Sequence, residues 1–517
     1  MSVATIFSAH IVGLQAEPVS VEIDVSSGMY SFSIIGLPDK SIDESKDRII
    51  SAIKNSNLKN PKSEGHKVVV SLAPADIKKE GSHFDLPITI AYLLASKQIK
   101  GDFSQKWFVG ELSLTGEIQS MQGILSITEY AKNLGIKEIY VPEKNKEEAA
   151  LVSGINVYGC KNLKEIVKHF GGLIEENDID VFQIKREEET ELIYSRPDFF
   201  LDFKDILGQT TAKRALEIAA SGGHNIALFG PPGTGKTMLA RAFTGILPPL
   251  SKDEVFEVTR IHSIASNSTK LITHPPFRSP HHTSSYVSLV GGGTNPKPGE
   301  VTLSHRGVLF LDEFPEFEKR AIESLRQPLE EGVISVSRAK GTFLFPASCI
   351  LVAAMNPCPC GYLGSKAKRC TCKQSDVERY KRKLSGPIVD RIDLWVPVLH
   401  IDYETLSHLH SDDEDSDKVR ERVIKTRSFA ENLFKEEGDK ISMNKYMSSK
   451  DIKKHIKLTE KAKEVIKVMS EKHSLSPRSY HRILRVAKTI ANMEHKESIE
   501  DSHILEAFQY RPKGFEE

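Results

Sequence analysis

The sequence runs to 517 residues, more than one hydrophobic core supports, so about two to four domains are expected. Its 70 Lys and Arg balance 70 Asp and Glu, which excludes a globally basic coat for nucleic acid and leaves only local patches. No basic n-region precedes an apolar core near Met1, and the longest apolar stretch, Leu86–Ala95, is too short for a bilayer; a cytoplasmic chain with no membrane contact is expected. Six cysteines, four of them between Cys358 and Cys372, point to a reducing compartment with one metal site rather than a disulfide framework.

Residues 1–173 alternate short strands and helices. Val19–Val25, Ser31–Ile35, Lys67–Leu72, Trp107–Leu112 and Glu138–Val141 read as strands, and Ile42–Asn55 and Ile124–Leu134 as helices, which makes an α+β domain with its own core. Its short signatures are Lys79–Leu86, Gly110–Ile118, Gln122-Gly123 and Val141-Pro142. Their order resembles the Lon-protease C-terminal domain. In that family a Ser attacks the peptide bond and a Lys of depressed pKa activates it. Here the Ser position falls on His83 and the Lys position on Leu125, while Ser82 is one residue out of place. The resemblance therefore implies a non-proteolytic relative used for binding or assembly. Between 174 and 198 acids outnumber bases and periodicity is lost, so a solvated linker is expected, with an acidic docking site as the alternative.

The next segment, Asp202–Gln209, precedes an amphipathic helix at Ala212–Ala220. After the apolar run His224–Phe229 comes Gly230, Pro231, Pro232, Gly233, Thr234, Gly235, Lys236 and Thr237, a G-x-x-x-x-G-K-T loop, and then a helical Met238–Phe243. Glycines let the main chain curl its N–H groups around phosphates, Lys236 can reach the outer phosphates, and the Thr237 hydroxyl can ligate Mg²⁺. Gly307–Leu311 is a second buried strand ending in Asp312 and Glu313. Asp312 can hold the Mg²⁺ shell and Glu313 can polarise the attacking water. Together these segments resemble the magnesium-chelatase-like branch of AAA+ ATPases. Over its full length the chain resembles the ComM/YifB family, which pairs a Lon-like domain with that module.

The resemblance assigns further roles. The Asp202–Gln209 segment would hold the adenine base. The irregular surplus before Asp312, Pro275–Ser285 and Gly291–Gly299, would be a hairpin insertion facing a ring's central hole. His281 and His282 within it are adjacent, so their side chains should point apart, and packing or pore-side contacts are expected in place of a metal. Lys319–Gln327 reads as a helix that Pro328 ends or kinks. Val333–Ser337 and Gly341–Phe345 form a hairpin carrying Arg338 and Lys340, two cations suited to a passing phosphate backbone or simply to a solvated turn. Asn356 ends the strand Cys349–Met355, where an amide orients the hydrolytic water.

Cys358, Cys360, Cys370 and Cys372 then form two C-x-C pairs that can close a tetrahedral Zn²⁺ site with no open position; free thiols or a regulatory disulfide are the alternatives. Lys366, Lys368, Arg369, Lys373, Arg379, Lys381, Arg382 and Lys383 make this the most cationic stretch, a nucleic-acid contact or a solvated face. In Ser385–Leu394 the family's pattern makes Arg391 a finger for a neighbouring subunit's ATP, against a local ion pair with Asp390 or Asp393. Past an acidic hinge at 411–417 the chain is helical. Ser476-Pro477 starts a helix with Ile483, Val486, Ala487 and Ile490 on its apolar face, and Arg478, with Arg482 as fallback, is the lid arginine that reads γ-phosphate.

The expected architecture is α/β multidomain: a Lon-protease-like α+β N-terminal domain at 1–173, an acidic linker at 174–198, a P-loop AAA+ parallel-sheet domain at 199–400 and an all-α C-terminal lid at 401–517. The resemblance implies an ATP hydrolase using ATP, Mg²⁺ and structural Zn²⁺, assembled as a hexameric ring. It implies a DNA helicase for branch migration during DNA uptake; a protein-remodelling or metal-insertion motor of the magnesium-chelatase kind is the alternative.

Overall fold

The computed structural model describes residues 2–74, 79, 81–172, 182–194, 201–266, 270–293, 296–338, 341–365, 368–400, 414–436, 438–439 and 441–512. The chain divides into two units, Met1–Ile193 with Val255–Leu271, and Tyr194–Glu254 with Ile272–Glu517.

The first unit is built on a seven-stranded mixed sheet. In spatial order its strands are Ser31–Ile35, His66–Ala73, Gln15–Ser27, Ser2–Val12, Lys106–Phe108, Glu138–Pro142 and Asn156–Cys160. Ser2–Val12, Gln15–Ser27 and His66–Ala73 pair antiparallel, while the strands from Lys106 onward pair parallel. Alternation along a strand feeds a core on each face. Phe108 and Tyr140 enter one, with the helices Lys40–Asn55 and Asp85–Ala95. Trp107, Ile139 and Val141 enter the other, with Ile124–Asn133.

The apolar Leu86–Ala95 run is a helix buried almost throughout. Two expectations change here. Trp107–Leu112 is two separate strands, Lys106–Phe108 and Glu111–Leu112. The described part of the acidic stretch is docked rather than uniformly solvated: Glu187 N donates to Val157 O, Thr190 Oγ1 donates to Glu147 O, and Ile184 is buried.

The second unit carries a five-stranded parallel sheet in the order Phe277–Arg278, Val308–Leu311, Ile350–Met355, Ile226–Phe229, Leu394–Pro397. Numbered by appearance in the chain, that order is second, third, fourth, first, fifth. The first strand is thus flanked by the fourth and fifth, and functional loops gather at the shared carboxyl edge.

The helices Ser416–Glu436, Ser449–His455, Glu460–Lys472, Pro477–Met493 and Asp501–Gln509 share one hydrophobic core with this sheet: Val423, Phe434, Leu484 and Ile490 belong to the same cluster as Leu228 and Val352. Ser476 caps its helix as expected, accepting from Ser479 N at 3.1 Å, with Pro477 in the first turn. Pro328 behaves differently from expectation. The chain breaks at Leu325 into Lys319–Ser324 and Arg326–Glu331, and Pro328 sits in the first turn of the second helix, where no intrahelical N–H bond is lost. Of the acidic run 411–417, residues 411–413 lie outside the described residues, while Ser416 Oγ donates to Asp202 Oδ1 at 3.0 Å. Among the described residues no helix is long and apolar enough to cross a membrane.

Candidate nucleotide-hydrolysis site

Parallel register builds the site. Phe229 pairs with Met355 and Leu311 with Ala353, so Gly230, Asp312 and Asn356 leave their strands side by side on one edge. Gly230 packs so closely on the end of the last strand that a Cβ would come 2.0 Å from Val398 O. Gly235 caps the helix Lys236–Phe243 at φ 89°, a left-handed conformation that costs glycine little, and a Cβ there would meet nothing within 4 Å. The loop is thus an open backbone cradle at a helix N-terminus, which suits a phosphate chain.

Lys236 is only 9 % exposed, and all three of its donors are engaged: Gly230 O and Pro231 O, both at 2.8 Å, and Asn356 Oδ1 at 3.3 Å. Burial lowers its pKa and the Asp312 charge partly restores it. Thr237 Oγ1 lies 3.0 Å from Asp312 Oδ2, so hydroxyl and carboxylate, both hard oxygen donors, already share the place where Mg²⁺ would be held. Glu313 is half-exposed at φ 49°, where its N–H donates to Asp312 Oδ1 at 2.9 Å.

Two further residues make contact with this site. His282 Nδ1 stands 3.1 Å from Glu313 Oε2. The two histidine rings do not point apart: their centroids lie 4.2 Å from each other, because the chain turns at this point instead of running extended. Gln209 Nε2 donates to Thr234 O at 3.3 Å and to Leu399 O at 2.7 Å, tying the Asp202–Gln209 segment to the phosphate loop. In the insertion, Gly292 and Lys297 exchange both backbone hydrogen bonds at 3.2 Å, forming a short hairpin rung.

The four cysteines converge. Cys358 Sγ lies 3.4 Å from Cys360 Sγ and 3.7 Å from Cys370 Sγ, and all four sulfurs fall within 4.8 Å of one another. Tetrahedral Zn–S bonds of ~2.3 Å require sulfur separations of about 3.8 Å, so the set fits such an ion. Backbone N–H groups of Tyr362 and Thr371 draw the Cys360 thiol down to about 5, whereas at Cys370 and Cys372 a backbone N–H is outweighed by desolvation and the neighbouring sulfurs, which raise the thiol pKa; Cys360 N donates to Cys372 Sγ at 3.4 Å. This segment reaches the phosphate loop: a Cβ at Gly361 would lie 2.7 Å from Pro232, and the Tyr380 hydroxyl bonds the backbone of Asn356.

Family models match in three blocks: magnesium chelatase subunit ChlI at 202–406, subunit ChlI of Mg-chelatase at 21–145, and the ChlI C-terminal region at 413–511. The competence protein ComM of Haemophilus influenzae is 40 % identical over 519 residues, covering 99 % of this chain and 98 % of the relative. The protein YifB of Escherichia coli is 38 % identical over 514 residues, covering 99 % and 97 %. The chain belongs to the ComM/YifB family of magnesium-chelatase-like AAA+ proteins. Similarity to Lon protease 2 of Bacillus subtilis is partial, 31 % over 147 residues and 26 % of each chain.

Within this ComM/YifB-type module the remaining arginines are bonded to groups outside the phosphate loop. Arg391 donates to Pro387 O at 2.7 Å and Arg326 O at 3.2 Å and pairs with Glu330, so its ion partner is neither Asp390 nor Asp393. Arg478 pairs with the same Glu330 at 2.6 Å. Arg482, 4 % exposed, donates to Val389 O and Ile392 O and braces the segment that carries Arg391. In the hairpin Val333–Arg338 and Gly341–Pro346 the last rung joins Arg338 to Gly341, and Lys340 lies outside the described residues. In the cationic stretch, which also includes Lys366 outside the described residues, several charges are locally answered: Arg379 by Asp376, Lys383 by Glu316, and Lys368 lies over the Tyr362 ring.

Proposed function

We propose that this chain is an Mg-ATP-driven motor that works on DNA as a ring, a hexamer by family pattern, with each active site completed by the adjacent protomer. Convergence of Lys236, Thr237, Asp312, Glu313 and Asn356 on one sheet edge is the observation that carries the hydrolytic part. When bound, Mg²⁺ supplies charge neutralisation of the phosphates. Thr237 and Asp312 would hold it, Lys236 would turn from its own loop carbonyls to the phosphates, Glu313 would accept the water's proton and Asn356 would orient that water. Arg391 and Arg478 are bonded to groups outside their own phosphate loop, which supports their service to a neighbour. Cys358, Cys360, Cys370 and Cys372 would hold Zn²⁺ as a structural ion in the segment that packs on Pro232, with no open position for chemistry.

The DNA assignment draws on the name of the competence relative, on the exposed cations Arg369, Lys373, Arg379 and Arg382, and, from the sequence, on Arg338 and Lys340. DNA taken into the cell and branched recombination junctions are the substrates that the family resemblance implies. The N-terminal unit, with Lon-like order but His83 and Leu125 at the reacting positions, serves binding or assembly. Measuring ATPase activity with and without forked DNA, beside unwinding of a labelled four-way junction, tests this. DNA-stimulated turnover with strand separation is the expected result; DNA-independent turnover without unwinding moves the assignment to a chelatase-like remodelling motor.

A further inference from the structure

Glu330 stands on the short helix Arg326–Glu331, and its two carboxylate oxygens are divided between two arginines. Oε2 accepts from Arg391 Nη2, and Oε1 accepts from Arg478 Nη2 at 2.6 Å. These partners lie 61 and 148 residues away in sequence, so only the fold brings them together. One anion clasped by two guanidinium groups is the arrangement a terminal phosphate would require of the same pair.

The three side chains are not equally held. The Arg391 side chain is 10 % exposed and anchored by two backbone carbonyls, on a segment that Arg482 braces from behind. Glu330 and Arg478 are 51 % and 47 % exposed. The carboxylate is therefore the replaceable member and Arg391 the fixed one. Burial pushes the Glu330 carboxyl up, but the hydrogen bond and charge of Arg391, joined by Arg478, outweigh it and hold the pKa below the ordinary value, so the group is an anion at neutral pH.

We propose that Glu330 is a positioning residue: it holds Arg391 and Arg478 together in the lone protomer, and the terminal phosphate of a nucleotide in an adjacent copy displaces it. This rests on the reading of Arg391 as a group lent across protomers. Its consequence is a threshold. Assembly driven by ATP must first break two part-exposed ion pairs, whereas ADP, lacking the terminal phosphate, brings no competing anion to that position.

Glu330→Gln keeps the shape of the side chain and removes its charge. The measurement is sedimentation velocity across protein concentrations with a non-hydrolysable ATP analogue and, separately, with ADP. The expected result is an assembly midpoint about two- to ten-fold lower with the ATP analogue, the range that one or two such pairs are worth, with a smaller shift in ADP. That shift should vanish in a background already carrying Arg391→Ala and Arg478→Ala, an outcome that general loosening of the helix would not give. An unchanged or higher midpoint overturns the proposal, and so does a shift that persists without the arginines. If Arg391→Ala alone retains full turnover, the shared-site reading fails first; if it abolishes turnover while Glu330→Gln assembles like the parent, only the role of Glu330 fails.

Discussion

Thr237 and Ser82 each set a hydroxyl against a carboxylate, and only one of the two has the surroundings of a reactive site. Thr237 meets Asp312 beside an ammonium, an open glycine loop and a second carboxylate at a strand end. Ser82 meets Glu111 in the N-terminal unit among groups that cannot activate it. There the Lys79 ammonium is buried against Pro74 O, Leu125 is fully buried, and desolvation with the charge of His10 pushes the His83 imidazole down to about 3. A nucleophile needs a neighbour able to take its proton near neutral pH; an imidazole titrating so low is a poor one. A hydroxyl–carboxylate pair by itself decides nothing; the charge and openness around it decide whether it reacts.

Glu313→Gln should break the contrast most forcefully. Turnover by phosphate release should fall by about 10²–10⁴-fold, the usual worth of a positioned general base, while a fluorescent nucleotide still binds. Next in size is the four-sulfur site. Because Gly361 lies against Pro232, stripping the metal or introducing Cys360→Ser should weaken nucleotide affinity by about 1 kcal/mol, several-fold, through the packed loop. Equilibrium binding reads this without reference to turnover; unaltered affinity would uncouple the two.

Asp85 sharpens the comparison through pH. It is fully buried, and burial outweighs its bonds to Arg48, so its pKa is pushed up to about 6, while Arg48, partly exposed, is held above its ordinary value chiefly by the Asp85 hydrogen bond. A raised carboxyl binds its proton more tightly in the folded state. Its contribution to stability is thus complete below 3.8 and is lost as pH rises through about 6, amounting to about 2–3 kcal/mol. Hydrogen exchange across Asp85–Ala95 should show protection falling over that window, with the slope reduced in Asp85→Asn. Smallest of all, Ser82→Ala should leave ATP turnover unchanged and alter stability by less than about 1 kcal/mol. A protease assay showing peptide cleavage lost on that substitution would contradict the reading of the N-terminal unit.

The parts legible in the sequence are those whose chemistry is local. The phosphate loop needs its glycines, Lys236 and Thr237 within eight residues, and Asp312-Glu313 needs only a buried strand before it; both announce themselves without a fold. Glu330 and His282 do not, because each gains meaning from a partner brought close by the sheet. The same limit explains the acidic stretch. Its composition reads as solvated, yet Ile184 is buried and Glu187 N finds Val157 O, contacts that composition cannot reveal. Pro328 is ambiguous in the sequence because proline closes one helix only if it does not open the next, and here it lies in the first turn of Arg326–Glu331.

Subunit mixing tests the shared active site most directly. Glu313→Gln removes the base but keeps Arg391; Arg391→Ala removes the arginine but keeps the base. Each should be inactive alone, and mixing the two should restore a fraction of turnover at interfaces where an intact Glu313 faces an intact Arg391. A mixture as inactive as its parts, or an Arg391→Ala protein that hydrolyses ATP at the parental rate, would contradict it.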